Sequence, residues 1–432
     1  MSQRASLLVV AGAIGLSLVL LCLFLAAVAG GTYLSRVSTG PVNQIAYVDN
    51  HNNIQVVDAR GANRVALTTD ASDTRAYLFP TWSPDSRRIA FVGVTSQGNT
   101  REAAIYASAP SGGNRATVFD SQTEIPFYLY WSPDSQQIGF LAQSENEMTL
   151  MLGSPDGKTN ARKLEAGAPF YWAWSPDSRT LLMHIGGSIR DSSDAELALL
   201  ERDGTQAPQI LKFGPANFQT PHYSPDGSMI LFAATTSSAD DALYLADARG
   251  NNARAIAQYQ GSIAFAWSPD GKKIASLVTP DDAGLPYFGP VWVGDADGSQ
   301  RAKLIDEDAL AFYWSPDSQQ IAYLTLTKPG SASSLNVPLP QAQLNFSWRV
   351  MRLADKQART VATFVPTGDF LSVLPYFDQY SRSLTFWSPD SQHLLFAKGE
   401  GSGTGSVWVA DIAGNTAPQR IGDGTLAVWS WK

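Results

Sequence analysis

From residue 44 onward the apolar positions of this chain fall into short runs separated by turn-forming residues. One stretch shows the pattern. Phe127-Tyr128-Leu129-Tyr130-Trp131 leads into Ser132-Pro133-Asp134-Ser135, and Ile138-Gly139-Phe140-Leu141 follows. Then come Met148-Thr149-Leu150-Met151-Leu152, a Pro155-Asp156-Gly157 turn, and Ala161-Arg162-Lys163-Leu164. Runs this short, rich in aromatic and aliphatic residues and bounded by turn formers, predict strands joined by hairpins. The four strands of such a unit are called a to d, from the inside outward.

The unit recurs. Trp82-Ser83-Pro84-Asp85-Ser86 is repeated from Trp131, Trp174, Tyr223, Trp267, Trp314 and Trp387, and Trp429-Ser430-Trp431-Lys432 is the phrase cut short. The steps are 49, 43, 49, 44, 47, 73 and 42 residues. A period in the forties with four strands per period predicts an all-β propeller, one blade per repeat. Pro presets φ for the a–b turn, and the Asp side chain bonds nearby backbone N–H groups. The c–d turns repeat as Asp203-Gly204, Asp247 to Gly250, Asp295 to Gly298 and Asp411 to Gly414, with Gly supplying positive φ. The Trp that ends each a strand reads as packing between neighbouring blades, where its large apolar ring is best hidden from water.

Strands b, c and d appear first near 44–49, 53–58 and 64–68, with no a strand before them, and 425–431 supplies the missing one. The expected fold is an eight-bladed β-propeller in which N- and C-terminal strands share one blade, with seven blades as the alternative. Such a joint removes free sheet edges.

The phrase Trp-Ser-Pro-Asp-Ser/Gly followed by Ile-Ala-Phe, as in Trp82 to Phe91, resembles the repeat of the bacterial TolB-like, WD-repeat-like propeller family across 44–432. The resemblance implies a propeller in the bacterial envelope. TolB itself carries six blades behind a small α/β domain and serves the Tol–Pal system. This chain has more repeats and an apolar N-terminal segment where that domain would stand.

That segment, 7–29, contains no charge. As a helix it would rise about 34 Å, enough for a bilayer core of roughly 30 Å. Arg4 before it places the start in the cytoplasm and the propeller outside. The organisation expected is therefore a signal anchor at 1–34, a linker at 35–43 and a propeller at 44–432. The corresponding location is the bacterial cell membrane, single-pass, with the propeller extracytoplasmic. Ala27-Val28-Ala29 before Gly30 fits the alternative of cleavage after Ala29 and secretion. Cys22 is the only cysteine, so no disulfide forms within the chain. A net charge of −8 without a basic run excludes nucleic acid as a partner, because phosphates need clustered Lys and Arg.

The a–b and c–d turns share one face and are uniform. The b–c and d–a connections share the other and carry the irregularity, at 280–290, 327–345, 365–382 and 399–406. Loops on a rigid scaffold concentrate function. Tyr287, Phe288, Phe370, Tyr376, Phe377, Asp378, Tyr380 and Arg382 form the candidate binding surface, since aromatics and Arg favour interface cores. The competing reading is that 370–380 is a short helix capping its own blade, its apolar side turned inward, since eight wide blades leave a channel mouth to cover. A second candidate is the channel entrance, where Phe127, Tyr128, Phe170, Tyr171, Phe218, Phe312 and Tyr313 open the a strands and could stack on sugars or peptides.

Catalytic chemistry is thinly represented. His51, His184, His222 and His393 are scattered, with His222 alone placed to face the channel, and no His or Cys pair has zinc spacing. Gly401 to Gly405 lacks the strand–helix context of a nucleophile elbow. Asp295 and Asp297 lack the remainder of a calcium loop. No cofactor or metal is called for. The reading is a non-catalytic scaffold binding an unidentified envelope protein or small ligand. A receptor for a glycan or peptide at the channel mouth is the runner-up, and a hydrolase or lyase using channel residues is the third class.

Overall fold

The computed structural model describes residues 43–98, 100–168, 170–187, 194–216, 219–235, 241–280, 287–327, 345–401 and 403–432. The apolar segment 7–29 lies outside them, and no helix among the described residues is long and apolar enough to cross a membrane.

The strands run as antiparallel four-stranded meanders, the sheets of a β-propeller. Four stand free, within 75–121, 125–166, 170–210 and 222–259. A seven-stranded sheet joins two further meanders through the long strand Ala302–Trp314, whose first part pairs with Gly289–Asp295 and whose second part pairs with Gln320–Thr327. A six-stranded sheet is fused in the same way through Gln419–Trp429. That strand begins against Thr404–Asp411 and ends against Gln44–Asp49, with Ile45 opposite Trp429. The strand expected at 425–431 thus pairs with the first b strand, as its sequence requires.

Neighbouring meanders are stitched at the motif. The Trp82 indole N–H donates to the Val428 carbonyl (3.3 Å), Trp131 to Thr81 (3.2 Å) and Trp174 to Tyr130 (3.4 Å). Trp314 donates to Ala266 (3.4 Å) and Trp387 to Tyr313 (3.1 Å). In every case the acceptor precedes the motif aromatic of the adjacent meander. Trp267 faces the meander whose motif begins with Tyr223, and its indole N–H finds no acceptor.

A second set of bonds explains the fifth letter of the motif. Within each turn the first Ser hydroxyl donates to the Asp carboxylate, as Ser132 does to Asp134 at 2.6 Å. The last Ser sits in the left-handed region, with φ of +59° at Ser86 and Ser135 and +62° at Ser178 and Ser318. This is costly for a residue with a Cβ. Its hydroxyl accepts an N–H from the preceding meander: Asp85 to Ser135 (3.1 Å), Asp134 to Ser178 (2.9 Å), Asp270 to Ser318 (3.0 Å) and Asp317 to Ser391 (3.1 Å). Where the letter is Gly, at Gly227 and Gly271, φ is +73° and +70°, so the strain is relieved but no hydroxyl is offered. In the truncated copy Lys432 N–H donates to Ser86, and the Trp431 indole to the Trp82 carbonyl.

Of the irregular connections, 399–406 is no loop. His393–Gly401 and Thr404–Asp411 pair out to Gly401 opposite Thr404, because Lys398 bridges Pro366 and the Gly399 N–H bonds Val365. The connection at 327–345 lies almost entirely outside the described residues.

These bonds predict a rank order. Ser135→Ala keeps the strained φ and loses the inter-sheet acceptor, so it destabilises by about 1–2 kcal/mol. Ser135→Gly loses the same bond but relaxes the backbone, and falls within about 1 kcal/mol of wild type. Calorimetric midpoints for the two variants check this; an equal loss would deny the backbone strain at this position its role.

Candidate functional site

The connection 365–382 contains a helical insertion. Thr367 caps it, its hydroxyl accepting from Phe370 N–H at 3.3 Å. Helix α1 (Gly368–Val373), a 3-10 turn (Leu374–Tyr376) holding Pro375, and helix α2 (Phe377–Tyr380) follow. Phe370, Val373 and Phe377 recur at helical spacing and are buried, whereas Leu371 and Tyr376 remain 39% and 42% exposed.

The buried side crosses the centre of the molecule. Phe377 packs edge-on against Tyr287, Phe312 and Tyr313, at centroid distances of 5.0, 5.6 and 6.0 Å. Tyr380 meets Tyr128 at 5.0 Å and Phe79 at 6.5 Å. The Tyr128 hydroxyl donates to the Gln379 carbonyl (3.0 Å), Thr220 N–H to Asp378 Oδ2 (2.9 Å) and the Thr81 hydroxyl to the Ser383 carbonyl (2.9 Å). These partners come from several meanders, so the insertion fills the space where the inner strands converge.

The inner strands are shaped to receive it. Phe79 and Tyr128 have φ of +51° and +46°, and the pairing register breaks at both. Bulges re-aim side chains; here they turn both rings onto Tyr380. A non-Gly residue in that region costs about 1–3 kcal/mol, which the packing offsets. Burial pushes the Asp378 carboxyl above its ordinary range, with the Thr220 bonds opposing. Burial likewise drives the phenols of Tyr128, Tyr171 and Tyr287 well up, keeping them neutral donors.

Toward the Ser-Pro-Asp turns lies a cavity of about 580 Å³. Its collar is built from the motif itself: Trp82, Trp131, Trp174, Tyr223, Trp267, Trp314 and Trp387, with Pro84, Pro133, Pro176, Pro225, Pro269, Pro316, Pro389 and Trp431. Ser381, Arg382 and Leu384, which follow α2, form its floor, and His222 lines the wall. Arg382 is the only charged side chain of the lining. Its Nε and Nη2 are buried and find no acceptor in the protein. Burial, with Arg382 adding, holds His222 well below the usual imidazole range and therefore neutral. His184, also buried, places Nδ1 3.1 Å from the Gln219 carbonyl, and its pKa is lowered to about 4 by burial.

The surface expected from the sequence is divided by this arrangement. Tyr287, Phe370, Phe377 and Asp378 are interior, because the rings and carboxyl that looked available for a partner are spent on filling the centre. Phe288 and Tyr380 are half-buried, and Tyr376 alone is exposed. Arg382 is separated from them and lines the cavity. The channel-entrance aromatics Tyr128, Phe170, Tyr171 and Phe312 are buried, Phe127 and Tyr313 are half-buried, and Phe218 lies outside the described residues. The collar was missed as a site because its Trp and Pro each have a local packing or turn role. The available signal was their recurrence at one end of every inner strand. Among the described residues no cluster of His, Cys, Asp or Glu could hold a metal.

No family model and no curated protein matches the chain. Solved structures do. A prolyl endopeptidase aligns over 83% of this chain and 50% of its own at 13% identity, with a TM-score of 0.54. Oligogalacturonate lyase from Vibrio parahaemolyticus aligns over 87% and 98% at 13% identity, with a TM-score of 0.51. TolB from Acinetobacter baumannii aligns over 88% and 78% at 13% identity, with a TM-score of 0.41. At such identities the likeness is one of fold.

The buried titratable groups predict opposing pH effects. His184 is lowered in the folded state, so its contribution is present above about pH 6.5 and is lost as pH falls toward 4, by about 3 kcal/mol in all. Asp378 is raised, so its contribution is present below the ordinary carboxyl range and is lost as pH rises through its folded value. His184→Gln should flatten the fall in thermal midpoint between pH 6.5 and 4.5. Asp378→Asn should raise the midpoint at pH 7 and steepen the acid loss. Curves parallel to wild type would contradict both assignments.

Proposed function

We propose that the chain is an eight-bladed propeller, anchored in the bacterial membrane through 7–29 with the propeller extracytoplasmic, and that it binds a partner without catalysing a reaction. Seven motif copies plus the truncated tail, and the strand sharing at Ala302–Trp314 and Gln419–Trp429, support eight blades. The uncharged N-terminal segment and the motif's resemblance to TolB-like repeats support the location.

One observation carries the binding reading: a cavity of about 580 Å³, walled by aromatic rings and prolines, with a single cation at its floor. Ligand sites are concave, mostly apolar and supplied with few polar groups. A general acid and base would have to converge on a common point. Asp378, the buried carboxyl with a raised pKa, is not part of the lining, so no carboxyl stands with His222 on the cavity wall. The oligogalacturonate lyase and prolyl endopeptidase likenesses are of fold alone.

The outer side of the insertion, with Leu371 and Tyr376, is the competing surface. Ala266 lies on the cavity wall, half-buried, and offers only its backbone carbonyl to Trp314. Ala266→Trp should fill the cavity without breaking that bond. In a cross-linking pull-down of the anchored protein, A266W should lose a partner that the double variant Leu371→Ser, Tyr376→Ser retains, with thermal midpoints for both close to wild type. The reverse pattern would move the site to the insertion's outer side.

A further inference from the structure

Arg382 is built into the cavity floor in an unusual electrostatic setting. No salt bridge joins it to a carboxylate among the described residues, and no Asp or Glu lines the cavity. The motif carboxylates next to the collar prolines are engaged away from it: Asp134 takes Ser132 at 2.6 Å, Gln136 N–H at 3.0 Å and Arg202 at 2.8 Å, and Asp317 takes Ser315 at 2.6 Å and Gln319 N–H at 3.0 Å. The guanidinium thus lines a space walled mainly by indole, phenol and proline rings with no carboxylate to pair it, and the Tyr130 hydroxyl is its one neighbouring polar partner on the wall. A half-buried cation without a counter-charge is costly, and a carboxylate matches a guanidinium in charge and geometry.

The shape of the cavity selects how a carboxylate can arrive. The insertion closes the base, so a chain must enter from the Ser-Pro-Asp end and reach the floor end-on. A chain has two ends, one cationic and one anionic, and a cation at the floor admits the second. Aromatic and proline walls suit apolar side chains and extended, proline-tolerant backbones. We propose, resting on the cavity being the binding site, that its occupant is the carboxyl terminus of a peptide chain: the free α-carboxylate on Arg382 and apolar or aromatic terminal side chains against the collar. Neutral His222 adds no competing positive charge on the wall.

Random-sequence octapeptides with free α-carboxyls, and the same library amidated, are the probes. They are selected against the full chain, and binding is read by quenching of its tryptophan fluorescence. Ligands should come from the free-acid library, share apolar or aromatic last residues, and bind about ten- to a hundredfold more weakly when amidated. Arg382→Gln should reproduce that loss, while Arg382→Lys keeps charge without the fork and should lose less. The acid–amide comparison is made on the unaltered protein and stands even if a variant fails to fold. Ligands that bind equally as acid and amide, and are lost in Ala266→Trp, would overturn the carboxylate inference while leaving the cavity as the site. Ligands that survive Ala266→Trp, or no ligand from either library, would overturn the cavity reading and this inference with it.

Discussion

The structure depends on how one inner strand speaks to the next. Each meander pairs its own strands, and apart from the two strands shared between meanders that pairing does not join one to the next. Association comes from the motif at the end of the inner strand. An indole buries its ring against the adjacent sheet and satisfies its N–H on that sheet's backbone, as Trp131 does on Thr81. A backbone N–H reaches the following turn's hydroxyl, as Asp134 does at Ser178. Apolar burial supplies the drive, and the paired polar atoms set the register, because a buried donor without its acceptor costs about 1–3 kcal/mol. Positions that depart from the motif show the rule: Tyr223 and the two glycines coincide with the places where a bond is missing.

Many sheets joined by their inner edges create a problem that the motif does not solve. The inner strands cannot all touch, and the space between them must be filled. The chain fills it with 368–383. Two short helices lay apolar residues against the inner strands, and the Tyr128 and Thr81 hydroxyls and the Thr220 N–H fasten the segment at separated points. The bulges at Phe79 and Tyr128 are the local deformation this demands. The same insertion that seals one end supplies the floor of the cavity at the other, so filling the centre and shaping the site are one event.

This arrangement separates the polar groups into two kinds. Asp378 and Gln379 hold the insertion through Oδ2 and Oε1, which take the Thr220 N–H and hydroxyl, beside the neutral phenol of Tyr287. Arg382, a few residues further on, lines the cavity instead, with no carboxylate beside it in the lining. A rigid collar of indoles and prolines beside one pre-positioned cation loses little conformational freedom when a ligand arrives, which lowers the entropic cost of binding.

Local sequence determined the strands, the turns and the joint between 44–49 and the C-terminal strand, because period, turn chemistry and strand register are properties of neighbouring residues. It also made visible that 370–380 was helical with an apolar side. Which surfaces would be free could not be read there. Tyr287, Phe377 and Asp378 look like interface residues in a linear reading, and only the meeting of distant inner strands showed that they are consumed as core. The cavity was hidden for the converse reason. Each collar Trp and Pro has a sufficient local role, and its second role, as one stave of a shared wall around Arg382, exists only once strands from across the chain stand side by side.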